Sequence, residues 1–66
     1  MTYEVQERNT GNGWINFEVR PPLDPRRYWV GWNGTRTTRS HDVQALGERH
    51  PEVLESFVSW LEQGQP

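Results

Sequence analysis

Sixty-six residues bound the chain to one small domain, with no room for a second domain or a large enclosed catalytic cleft. Hydrophobic residue types make up 32%, charged ones 24%, mean hydropathy is -1.00 and formal net charge is -2, so the core must be built from few apolar side chains. Cysteine is absent, which excludes disulfides, thiolate metal sites and cysteine nucleophiles, and no apolar run reaches the ~20 residues of a membrane-spanning helix.

The first residues lack the basic and apolar regions of a signal peptide, so a cytoplasmic protein is expected. Residues 3–8 alternate, with Tyr3, Val5 and Glu7 on one face and Glu4, Gln6 and Arg8 on the other. After the turn cluster at 9–13, residues 14–20 alternate again, with Ile15, Phe17 and Val19 together. A two-residue turn at Asn12-Gly13 would set Tyr3 and Val5 on the wrong face. A loop over 9–13 pairs Phe17 with Val5 and Val19 with Tyr3, and the hydrophobic pattern selects it.

Pro21-Pro22-Leu23-Asp24-Pro25 cannot sit in a central strand, because proline has no N–H to donate; it reads as a stiff connector. Residues 27–32 are rich in aromatic and β-branched types and predict a third strand. Asn33-Gly34 then predicts a type I′ turn into a fourth strand over 35–39. With that turn Trp29 lies opposite Thr38, and Gly31 lies opposite Arg36. Asn33-Gly34-Thr35 also matches a glycosylation sequon, read here as a turn.

Ser40 and Asp42 are both N-cap residues for a short helix over 42–49, with Val43 and Leu46 inward. His50-Pro51-Glu52 opens a second helix, proline taking the first helical position. Its Val53, Leu54, Phe57, Val58, Trp60 and Leu61 form one stripe about 160° wide. Gly64 is the expected terminator, and fraying is expected beyond it. The expected fold is α+β: a four-stranded antiparallel meander over 1–39 packed on a C-terminal helix, with a short helix before it, all within one domain over 1–66. Tyr3, Val5, Ile15, Phe17, Val19, Tyr28, Val30 and Trp32 should meet the helix stripe.

Charge is unevenly spread. Residues 1–19 sum to -2, 20–39 to +4 and 40–66 to -4, and all seven basic residues are arginine. Internal compensation explains such asymmetry, and so does a binding face. If Val30 and Ile15 face the helix, Trp29 and Trp14 face away. Arg20, Arg27 and Arg36 share that outer face, with Asn16, Glu18 and Thr38. Trp and Arg are enriched at binding hot spots. Arginine stacked on tryptophan for local stability is the alternative role.

Catalytic chemistry is thin. Ser40-His41-Asp42 are adjacent, so they cannot converge as a triad must. His41 and His50 read as cap or surface residues, no spacing supports a metal site, and no phosphate-binding loop is present. No catalytic residue, metal or other cofactor is expected.

The segment 28–39, Tyr28-Trp29-Val30-Gly31-Trp32-Asn33-Gly34 through Arg39, followed by helices, resembles the arm-binding or AP2-like domains of phage integrases. That resemblance covers about half the chain and rests on topology and the Asn-Gly turn. It implies a three-stranded sheet laid on DNA with a helix behind. In size and composition the chain also resembles small phage or prophage accessory proteins that bind host machinery. The expectation is a non-enzymatic protein-binding module, an inhibitor or adaptor. Trp14 and Trp29 would anchor an acidic or mixed protein surface, and Arg20, Arg27 and Arg36 would pair with its carboxylates. Nucleic-acid binding and homodimerisation through the same face are the alternatives. No membrane partner is expected.

Overall fold

The structure, a computed structural model, describes residues 2–64; the fraying expected at 65–66 lies outside them. Three strands, β1 (Glu4–Gly11), β2 (Trp14–Arg20) and β3 (Tyr28–Trp32), form one antiparallel sheet in the order β1-β2-β3. Two helices follow, α1 (His41–Arg49) and α2 (Pro51–Glu62). The fold is thus a small α+β arrangement.

Phe17, Val19, Tyr28, Val30 and Trp32 from the sheet are buried against Leu46 of α1 and Val53, Phe57 and Leu61 of α2. The Phe17 and Phe57 rings meet edge to face at 5.3 Å, and Trp60 stacks on Phe57 at 5.8 Å. Such pairs add about 0.5–1.5 kcal/mol beyond area burial. Tyr3, Val5 and Ile15 are half-buried at the margin of this core, and the Tyr3 hydroxyl lies 3.0 Å from Ser56 Oγ. Gly47 belongs to the helix–helix contact, since a Cβ there would come within 3.0 Å of Leu54 Cδ2.

The fourth strand does not form. After Trp32 the chain makes one bridge, Trp32 to Thr37, and then turns into α1. Its work on the β3 edge is done by other groups. Thr38 N donates to Gly31 O at 2.9 Å, the Thr38 hydroxyl accepts Gly31 N–H at 3.1 Å, and the Asp42 carboxylate accepts Trp29 N–H at 2.9 Å. Asn33 is not in the left-handed region that a type I′ turn requires. Its side chain instead accepts Thr35 N–H and Arg36 N–H, both at 2.8 Å, which opens a longer loop. Thr38, not Arg36, therefore covers Gly31.

The first hairpin also differs from expectation. Asn12 (φ 54°) and Gly13 (φ 80°) form a two-residue turn of the mirror-image kind, closed by the Gly11–Trp14 pair. A β-bulge between Glu7 and Asn9 inserts Arg8 as an extra residue and reverses the facing of everything before it. Val5 then opposes Val19, and Glu7 opposes Phe17. The bulge reconciles the tight turn with an inward Val5.

The helices start where their caps are. Ser40 Oγ accepts Val43 N–H at 3.2 Å, and α1 begins one residue earlier than expected. His50 ends α1 by donating its N–H to Leu46 O, and Pro51 opens α2. Both helices cover one face of the sheet. Among the described residues no element covers the other.

Candidate functional site

The uncovered face is organised by β2, whose outward row is Trp14, Asn16, Glu18 and Arg20. Glu18 is only 1% exposed although it lies on this open face. Arginines bury it. Arg8 Nε donates to Oε1 at 2.9 Å and Arg20 Nε to Oε2 at 2.8 Å, while Arg27 Nη1 lies 3.8 Å from Oε2. The bulge in β1 is what brings Arg8 to this carboxylate. The hydrogen bond from Arg20 is the largest influence on Glu18; with Arg8 it holds the carboxyl below the usual glutamate range, against the opposing effect of burial. The two shortest contacts use Nε, and the Arg8 and Arg20 side chains remain about half exposed.

Trp29 pairs with Glu18 across the sheet and is 40% exposed. The Arg27 guanidinium lies 5.7 Å from its ring centroid. Trp14 is half-buried at the start of β2 under Arg36, whose guanidinium is 5.5 Å from the indole centroid. The five residues singled out from the sequence thus fall in two groups. Arg20, Arg27 and Trp29 gather around Glu18. Trp14 and Arg36 lie four residues along β2, about 13 Å away. The Arg–Trp stacks are worth about 0.5–1 kcal/mol each at exposed sites, so they also serve local stability.

Sequence reasoning missed two members of this site. Alternation puts Arg8 on this face with Glu4 and Gln6, but only the observed register sets it beside Glu18. Glu18 had been placed on the outer face by parity, but its role as the centre needs three arginines from three different segments.

A second polar cluster joins the connector to the helices. Asp24 accepts the Arg26 backbone N–H at 2.9 Å and the Tyr28 hydroxyl at 2.9 Å, and lies 2.7 Å from His50 Nε2. Those three contacts, the Arg26 amide foremost, hold the Asp24 carboxyl at about 2, well below its ordinary 3.8. The Tyr28 hydroxyl and the nearby Asp24 charge raise Arg49. The connector is therefore pinned as well as stiff, and His50 uses its ring to hold it. Leu23 sits at the tip of this segment with φ 64° and is fully exposed.

Among the described residues, no three His, Asp or Glu side chains gather as a metal site would need, and no helix is long and apolar enough to cross a membrane. Comparison with protein-family models, curated proteins and solved structures gives no match.

Proposed function

We propose that the chain is a non-enzymatic protein-binding module whose outer sheet face docks an acidic protein surface and occludes it. One observation carries this reading: a buried carboxylate, Glu18, holds Arg8, Arg20 and Arg27 in a fixed array beside the exposed ring of Trp29. Arginines already fixed by a carboxylate lose less freedom on docking than free ones. Three guanidiniums around one carboxylate leave a surplus of positive charge for a partner's Asp and Glu side chains. Trp29 supplies the apolar anchor, with Trp14 and Arg36 as a second contact further along the face.

Nucleic-acid binding is the second reading, favoured by the same ring among arginines, which could stack a base and meet phosphates. It ranks lower because Glu18 offsets one guanidinium charge and Glu4 opposes Arg20 across the sheet, weakening the field a phosphate backbone would meet. An isologous dimer through this face ranks lower still, since it would set arginine against arginine.

The test is a tryptophan-fluorescence titration at two salt concentrations with polyglutamate, a single-stranded oligonucleotide and a DNA duplex. The expected result is saturable quenching by polyglutamate that is lost in Trp29→Ala and in Arg27→Glu. Steeply salt-dependent quenching by either nucleic acid, with none by polyglutamate, would overturn the reading.

A further inference from the structure

Leu23 has no part in the core or in the docking face. Among the described residues it and Trp29 are the exposed large apolar side chains, and Leu23 lies wholly in solvent. Its backbone stands in the left-handed region at φ 64°, where a residue with a side chain is strained. The segment around it is nonetheless fixed. Pro21 is buried, and Asp24 is held by the Arg26 amide, the Tyr28 hydroxyl and His50. The connector thus presents one apolar side chain outward from a pinned, strained turn. Strain that the surroundings hold in place clusters at functional sites.

A hollow that suits this side chain lies close by. Tyr3 and Val5 with Phe57 and Trp60 of α2 line a space of about 250 Å³. None of the four is charged, so the hollow calls for an apolar occupant. Its volume exceeds the roughly 150 Å³ of an engineered apolar cavity that takes up benzene, so a leucine side chain fits. Leu23 does not fill the hollow of its own chain, because it is fully exposed. The two are neighbours all the same: Tyr3 also lines a second hollow, of about 360 Å³, that Leu23 itself borders.

We infer that two copies of the chain pair reciprocally about a two-fold axis, the Leu23 side chain of each filling the hollow between Tyr3, Val5, Phe57 and Trp60 of the other. Adjacency through Tyr3 decides for a second copy. In a two-fold pair residue i meets j as j meets i, so a neighbouring knob and hollow are both satisfied in one association. The pinned connector loses little freedom on docking. The contact is small, and its dissociation constant is on the order of 1 mM. Micromolar chain, as used in unfolding measurements, is therefore monomeric, and the strain at Leu23 is uncompensated there. The hollow opens on the helix side of the sheet, so pairing leaves Trp29 and its arginines free and presents two docking faces together.

Sedimentation equilibrium and NMR of the intact chain, from about 20 µM to about 2 mM, test the pairing. The average mass should rise toward that of a dimer and no further. The Trp60 indole and the Val5 and Leu23 methyl resonances should shift with concentration, while the Trp29 indole stays in place. A mixture of isotope-labelled and unlabelled chain should show intermolecular Overhauser contacts between the Leu23 methyls and the Trp60 ring. Leu23→Asn keeps a residue that tolerates the left-handed backbone and should weaken association about tenfold or more. Leu23→Met should restore it, and the amide spectra of both variants should show the same fold. A chain that stays monomeric throughout overturns the inference. So does association that Leu23→Asn leaves intact, growth beyond a dimer, or concentration-dependent movement of Trp29 with Trp60 unmoved.

Discussion

Thr38 sits directly over Gly31: its hydroxyl accepts the Gly31 N–H at 3.1 Å, and a Cβ on Gly31 would meet Thr38 Cγ2 at 2.6 Å. Gly31→Ala should therefore destabilise the domain by about 1–3 kcal/mol through overpacking. Adding Thr38→Ser, which removes Cγ2 but keeps the hydroxyl, should recover much of that loss. Urea unfolding of the single and double variants checks the pair. A Gly31→Ala variant as stable as the parent would mean Thr38 does not cover this edge.

Inside and outside should separate cleanly in stability. Phe57 is fully buried against Phe17 and Trp60, so Phe57→Ala should cost about 3–5 kcal/mol, enough to unfold much of so small a domain. Trp29, 40% exposed on the open face, should cost about 1 kcal/mol or less when replaced by alanine. Circular dichroism melts of both variants measure the difference. Unfolding of Trp29→Ala would place that ring in the core.

Leu23 occupies the left-handed region at φ 64° with its side chain in solvent. A non-glycine residue there carries about 1 kcal/mol of backbone strain, and no packing offsets it. Leu23→Gly should raise stability by a few tenths to about 1 kcal/mol, the gain being reduced by the added freedom of the unfolded chain. Chemical denaturation reads the sign directly; a loss of stability would mean that the leucine side chain contributes a contact.

Acid stability should follow two carboxylates. Asp24 falls from an ordinary 3.8 to about 2, and Glu18 is also lowered. A depressed carboxyl stabilises the fold fully above its unfolded value and loses that contribution as pH falls through the folded one. Stability should hold from neutrality to about pH 5 and decline toward pH 2. Arg26, Tyr28, His50 and Arg49 surround Asp24, so Asp24→Asn should lower stability at neutral pH and flatten the decline. Urea midpoints at successive pH values test this, and an unchanged slope in the variant would remove Asp24 from the explanation.

Much of the fold was legible because side-chain periodicity reports facing. The inward sets Phe17 and Val19, Tyr28 and Val30, and Val53, Phe57 and Leu61 follow directly from alternation and from the helical stripe. What alternation cannot show is a residue inserted into it. The Arg8 bulge was invisible for that reason, so a longer loop was invoked to keep Val5 inward. The fourth strand failed for a different reason. Thr35, Thr37 and Thr38 suit strands, but side-chain oxygens of Thr38 and Asp42 occupy the β3 edge and Ser40 commits the chain to α1.

The surface was legible by parity but not by partnership. Trp29, Arg20 and Arg27 share one face in sequence and in structure. That Glu18 would be buried among arginines depended on Arg8 and Arg27 arriving from different segments. Asp24 read as part of a proline-rich connector, because its contacts with Tyr28 and His50 are set by how the connector returns to the helix junction.

The chain carries four tryptophans, two facing out and two associated with the core, and their indole N–H resonances report separately on the two sides. Titrating the isotope-labelled chain with polyglutamate tests the docking face most directly. Trp29 should shift saturably, Trp14 should follow, and buried Trp32 should stay in place. Unmoved Trp14 and Trp29 resonances at saturating polyglutamate, or movement of the same two only on adding an oligonucleotide, would contradict an acidic protein surface as the ligand of this face.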